Sequence, residues 1–214
     1  MKILKVMSII AVLFLAGVNV VAQIAGTAAD DREVGKQFRE LQSKSWEIRR
    51  NNAYRETSEI LTDEKTPKEL KQTSISEFVP PDRRRYVISA KAKGKVESYE
   101  SITIGDQVYS RQQGGPWKSE KVDRKTGSGY GNSGIKFIEK TTIDGRPVTV
   151  FEDEWSTYSD SGDSSGVTRY WFTDDGYLLK MVDRRSAEGA KPARGETSTF
   201  EYDPNIRIET PVIK

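Results

Sequence analysis

From about residue 53 onward the chain is cut by tight-turn signals: Lys93-Gly94, Gly105-Asp106, Gly114-Gly115, Asp144-Gly145 and Asp174-Asp175-Gly176. Each offers Gly or Asp where a hairpin needs a positive φ. The runs between them are short and rich in Tyr, Ile, Val, Thr, Phe and Trp, the composition of half-buried strands. A chain divided in this way is predicted to fold as an antiparallel meander. Two longer segments, residues 123–134 and 187–196, read as loops, and no internal repeat or second domain is visible.

Ahead of the meander lies one segment of different periodicity. Val34, Phe38, Leu41, Ser45 and Ile48 are spaced by four, three, four and three, which places them on one stripe of a helix. Asp30 and Asp31 are candidate caps, and Glu33 in the first turn suits the helix dipole. The helix is expected over residues 31–50, followed by a strand over residues 53–62.

The strand registers follow from the apolar pattern. A three-residue loop, Lys93-Gly94-Lys95, is expected because it pairs Ala92 with Val96. It brings Tyr86, Ile88, Ala90, Ala92, Val96, Ile102 and Ile104 to one face. A two-residue turn at Gly105-Asp106 then sets Ile104 opposite Gln107, Ile102 opposite Tyr109 and Glu100 opposite Arg111. With that face buried, loss of Arg111 would strand a carboxylate at about 3–5 kcal/mol. The length of the Gly114-Gly115 turn decides whether Trp117 stacks near Arg111 or lies on the other face. In the later hairpin, a three-residue loop at 174–176 is expected to put Trp171, Tyr177, Leu179 and Met181 on one face. Tyr170, Phe172, Leu178 and Val182 take the other, so both faces of this strand need cover.

Composition narrows function. Residues 1–22 read as a secretory signal peptide, with Lys2 and Lys5 before an apolar core from Val6 to Val18 and cleavage after Ala22; Ala29 is a second candidate. That core, about thirteen residues, is short of the roughly 20 needed to span a bilayer. Lys and Arg number 34 against 32 Asp and Glu; the leader holds two lysines and no acid, so the remainder is neutral. A neutral chain lacks the electrostatic footprint of a nucleic-acid binder. Arg83-Arg84-Arg85 reads as a solvated strand edge. With no cysteine there is neither a disulfide nor a thioether-linked lipid anchor. With no histidine there is no Ser-His-Asp or Cys-His machinery and no His-bearing zinc site.

Three motifs have plainer readings. Gly129, Gly131 and Gly134 match G-x-G-x-x-G, but no strand precedes and no helix follows, so a flexible loop is expected. The segment DSGDSSG, with Asp160 and Asp163, lacks the acid spacing of a calcium loop and reads as a hairpin tip. Glu152, Asp153 and Glu154 alternate along a strand and cannot all line one catalytic cleft.

The order of leader, amphipathic helix, strand and PDRRRYVISAKAKGKVESYESITIGDQVYSRQQGGPWK resembles the LolA/LppX-like superfamily of bacterial envelope proteins. The resemblance rests on the turn motif from Ile102 to Tyr109, on Gly114-Gly115 and on Trp117. It also rests on YWFTDDGYLLKM and on the closing FEYDPNIRIETP from Phe200 to Pro211. It covers most of residues 23–214, read as one LolA-like half-barrel domain.

The resemblance implies a mostly β (α+β) fold: a curved, half-open antiparallel β-barrel with the N-terminal amphipathic helix packed on its concave face. It also implies a soluble, monomeric, periplasmic protein, not lipid-anchored and not an enzyme, that binds a lipid or lipoprotein acyl chain, with transport to the outer membrane as one use of such binding, without cofactor or metal. The expected apolar wall is Tyr86, Ile88, Ile102, Ile104, Tyr109 and Trp171, with Glu100 and Arg111 as a polar latch at its edge. The alternatives are an envelope sensor or interaction module with a self-filled core, acting on an envelope protein partner, and a histidine-independent hydrolase.

Overall fold

The computed structural model describes residues 31–61, 71–92, 95–121, 131–157, 164–187 and 194–213. The expected signal peptide lies outside the described residues, as do Lys93, Gly94, Gly129, Asp160 and Asp163.

The helix α1 runs Asp31–Asn51. Its stripe does what the spacing requires: Phe38, Leu41 and Ser45 are buried, while Val34 and Ile48 are half-buried. Arg49 and Arg50 sit in the last turn, where the helix dipole favours cations. Asn52 closes that end, donating to the Ile48 carbonyl from its backbone N–H (2.9 Å) and from Nδ2 (2.8 Å).

Among the described residues eleven strands follow: β1 Tyr54–Leu61, β2 Lys71–Val79, β3 Arg83–Ala92, β4 Lys95–Ile104, β5 Gln107–Gln112 and β6 Lys118–Lys121, then β7 Gly131–Ile143, β8 Arg146–Thr157, β9 Ser164–Phe172, β10 Leu178–Ala187 and β11 Arg194–Tyr202. They form one antiparallel sheet in the order β6-β5-β4-β3-β2-β1-β11-β10-β9-β8-β7. Two meanders, β1–β6 and β7–β11, are therefore joined where β1 pairs with β11. β6 and β7 are the two edges and do not pair, so the sheet is open and does not close into a barrel.

Register fixes two faces. Tyr54, Phe78, Phe137, Phe151, Tyr170, Met181, Phe200 and Tyr202 occupy partner or alternate positions across the ladders. Several of these join Phe38 and Leu41 in the core, which identifies this as the helix-covered face. Phe38, 3% exposed, inserts its ring 5.6 Å from Phe151, 5.4 Å from Tyr170 and 6.0 Å from Phe172. All three contacts are edge-to-face, the arrangement favoured by aromatic quadrupoles.

Four local expectations are corrected. The β3–β4 hairpin pairs Ala92 with Lys95 and Lys91 with Val96, one residue away from the expected register. A one-residue shift exchanges the faces of a strand relative to its partner. In the β9–β10 hairpin Leu178 stands opposite Phe172 as expected, but an irregularity before Lys180 carries Met181 to Tyr170 and leaves Trp171 with Lys180. The β5–β6 turn lies one residue early: Gln113 (φ 51°) and Gly114 (φ 69°) hold the left-handed positions, and Gly115 donates to the Gln112 carbonyl at 2.8 Å. Finally, Gly131 and Gly134 belong to β7 and not to a loop.

Gly176 marks the closest approach of helix and sheet. Its φ is +96°, and a Cβ there would lie 2.5 Å from the Lys44 Cβ. Gly114 also has a positive φ but open space around it. Gly176→Ala should therefore cost about 2 kcal/mol or more and Gly114→Ala only about 1 kcal/mol, read from urea unfolding midpoints. Phe38→Ala should cost about 3–5 kcal/mol in the same measurement.

Candidate functional site

The six residues expected as an apolar wall do not share one face. Tyr86 pairs with Ser76 and Ser101, and Ile88 with Ser74 and Tyr99, on the helix-covered side. Ile102 stands opposite Arg85 and Tyr109, and Ile104 opposite Arg83 and Gln107, on the other side. Trp171 shares that other side, with the Lys180 ammonium 5.0 Å from its ring. The cause is the two-residue connection at 93–94, which reverses the parity of β4 relative to the register expected.

Glu100 does meet Arg111, at 2.6 Å, and the pairings of Ile102 with Tyr109 and Ile104 with Gln107 hold as expected. The pair is not a latch at a cavity edge. It is one step of a charge ladder that crosses six strands on the face away from the helix. Glu201 meets Arg55 (3.2 Å), Arg55 meets Glu77 (2.7 Å), Glu77 meets Arg85 (3.1 Å), and Arg85 meets Glu100 (2.7 Å). Beyond Glu100 the Arg111 guanidinium stacks on Trp117 at 4.4 Å from the ring centre, the stacked alternative of the two open for Trp117.

Two acids in this ladder are well covered, Glu77 at 8% side-chain exposure and Glu100 at 13%. Burial pushes the Glu100 carboxyl up, and hydrogen bonds and charge from Arg85 and Arg111 outweigh it, so the net shift is downward. Arg83-Arg84-Arg85 is thus no solvated edge. Arg85 serves the ladder, Arg83 donates to the Ile208 carbonyl (2.7 Å), and Arg84 points to the opposite face, with Nε donating to Ser76 Oγ (3.1 Å).

The helix-covered face is only partly covered. α1 packs its N-terminal half over β7–β9, and its C-terminal end reaches β11, where Arg49 stands 5.9 Å over the Phe200 ring. Beyond that end a cavity of 660 Å³ opens over β1–β5. Trp46, Tyr54, Phe78 and Val108 supply apolar lining, Arg49, Arg50 and Arg84 line it with charge, and the turns contribute Pro81, Asp82, Gly105 and Asp106. Trp46 is 63% exposed. A separate depression of 370 Å³ on the same face is lined by Ile88, Ala90 and Tyr99 among polar neighbours.

Electrostatics at the cavity are positively biased. Burial raises the Tyr54 pKa, and the Arg49 and Arg84 charges oppose the rise. Next to it, Tyr202 is pushed up to about 12 by burial, against the Arg49 charge, and its hydroxyl donates to the Leu178 carbonyl. Asp106 faces Lys121 at 3.4 Å. None of Arg49, Arg50 and Arg84 forms a salt bridge with a described residue, and Arg49 Nε is buried without a hydrogen-bond partner there.

Sequence reasoning missed every residue of this cavity. The available signal was Trp46, a large aromatic off the apolar stripe of the helix and followed closely by Arg49-Arg50. Elsewhere, Glu152 and Glu154 are paired with Arg169 and Lys136 on the face away from the helix, in keeping with alternation along β8. Among the described residues no group of His, Cys, Asp and Glu has the arrangement of a metal site. No described helix is long and apolar enough to cross a membrane.

No family model and no curated protein matches the chain. Its structure is similar to that of a domain from Vibrio parahaemolyticus described as an outer membrane lipoprotein-sorting protein, with 10% identity, 83% of this chain and 95% of that chain covered, and a TM-score of 0.31. A LolA superfamily protein from Nitrosomonas europaea aligns at 9% identity over 76% of this chain and 90% of that one, with a TM-score of 0.30. A DUF1329 family protein from Desulfovibrio piger aligns at 9% identity over 81% and 95%, also with a TM-score of 0.30. The superfamily named from the sequence motifs reappears among these structures. At such TM-scores the likeness carries no weight for function, which has to be argued from the chain's own geometry.

The ladder makes a graded prediction. Arg85→Ala leaves two covered carboxylates short of a partner and should cost about 3 kcal/mol. Arg111→Ala leaves Glu100 paired to Arg85 and should cost about 1 kcal/mol, below the stranded-carboxylate value expected from the hairpin alone. Because the folded Glu100 pKa is lowered, its stabilisation is complete above the ordinary glutamate pKa and is lost as pH falls through the folded pKa. Glu100→Gln should flatten that part of the acid unfolding curve.

Proposed function

We propose that this chain is a non-enzymatic cell-envelope protein that binds an acyl chain of a lipid or lipoprotein in the cavity beside the C-terminal end of α1. The carrying observation is that cavity: 660 Å³ of space with an aromatic floor, on the one face where the helix stops short of the sheet. Its size falls within the usual range for small-molecule sites. Burying eight methylenes against Trp46, Tyr54, Phe78 and Val108 would contribute about 6 kcal/mol before the costs of association. The absence of histidine supports a binding role over hydrolysis, and a signal peptide at residues 1–22 would deliver the chain to the periplasm.

A second reading is favoured by a different observation. Under the N-terminal half of α1 the interior is filled by the chain's own rings, with Phe38 among Phe151, Tyr170 and Phe172. That half alone would suit an interaction module without cargo.

Organic extraction of the purified protein followed by mass spectrometry tests the choice, together with titration of a monomeric lysophospholipid while recording tryptophan emission. Binding should bring a blue shift that Trp46→Phe removes, with a rise in melting temperature. An extract free of lipid, with neither blue shift nor thermal protection, would overturn the acyl-chain reading in favour of the module.

A further inference from the structure

Arginines on the two faces of this sheet are treated differently. On the face away from the helix Arg55, Arg85 and Arg111 each meet a carboxylate in the ladder. At the cavity Arg49, Arg50 and Arg84 meet none among the described residues, although all three line the same 660 Å³ space. Of the two acids in the lining, Asp106 is matched to Lys121, which leaves Asp82 against three guanidiniums. Arg49 is held over the Phe200 ring with its Nε buried and unpartnered, and Arg84 uses Nε on Ser76, leaving its terminal amino groups for another acceptor. Placing cations together without counter-charge is unfavourable unless an anion completes the site, and guanidinium forks match the oxygens of phosphate.

We infer that the cavity selects phospholipids of net negative charge, with the phosphodiester held among Arg49, Arg50 and Arg84 and the acyl chain laid along Trp46, Tyr54 and Phe78. The inference rests on the acyl-chain reading and adds the head-group class to it. A zwitterionic choline head would bring its ammonium among the same arginines and lose the advantage. The aromatic floor and the cationic rim lie side by side, so a ligand with one apolar and one anionic end satisfies both.

The test is calorimetric titration of the full chain with dihexanoyl phosphatidylglycerol, dihexanoyl phosphatidylcholine and glycerol phosphate, each kept monomeric. Phosphatidylglycerol should bind about tenfold more tightly than phosphatidylcholine at about 0.05 M salt, the worth of one charge-assisted hydrogen bond. That ratio should shrink at about 0.5 M salt as screening rises. The double variant Arg50→Gln with Arg84→Gln changes two exposed side chains. It should weaken phosphatidylglycerol binding more than phosphatidylcholine binding, so that the tenfold ratio falls to about one. Equal binding of the two lipids overturns the head-group selectivity and leaves the acyl-chain reading standing. Glycerol phosphate binding as tightly as phosphatidylglycerol overturns the lipid in favour of a free phosphate site. No binding of either lipid overturns the acyl-chain reading itself.

Discussion

The pairing of β1 with β11 holds the architecture together. Each meander is made of neighbours in sequence, but β1 and β11 come from opposite ends of the described chain. They run in register from Tyr54 with Tyr202 to Leu61 with Gly195. At the centre of this seam Ser58 and Ser198, both buried, share a hydroxyl hydrogen bond of 2.7 Å. Two small polar side chains that satisfy each other allow the core to close over the seam without an unpaired group. Without the seam there would be a six-stranded and a five-stranded sheet; the ladder would lose its Glu201 end, and the cavity would lose the helix that supplies Trp46, Arg49 and Arg50.

The two faces of the sheet then take opposite solutions to burial. Under the helix the side chains are aromatic and packed. Away from it, cross-strand partners of opposite charge run from Glu201 to Arg111, each acid but the first flanked by two arginines. Such a ladder ties six strands laterally, and its value depends on every member having a neighbour. The 660 Å³ cavity lies on the helix side.

Helix length and position decide where that place is. α1 ends at Asn51, capped by Asn52, while the sheet continues through β2, β3, β4 and β5. The result is a filled half and an open half on one face, with Trp46 and the arginines of the last helical turn at the border. Arg49 and Arg50, which suit the helix dipole at this terminus, also bring positive charge to the cavity mouth.

Much of the local structure was written in the residues themselves. The Gly105-Asp106 turn and the alternation beside it determine that Glu100 meets Arg111 and Ile102 meets Tyr109. The spacing of Val34, Phe38, Leu41, Ser45 and Ile48 determines the buried side of α1. These contacts are legible because they join residues a turn or a hairpin apart. The apolar pattern of β3 and β4 was misleading: it assumed one greasy face, whereas β4 gives Ile102 to the ladder side and Tyr99 to the helix side. Only tertiary structure could decide that division, because a register shift of one residue leaves the sequence unchanged and exchanges the faces. The Glu201 end of the ladder and the cavity around Trp46, Phe78 and Arg84 likewise depend on strands and a helix that meet through β1 and β11, a contact with no local signature in the chain.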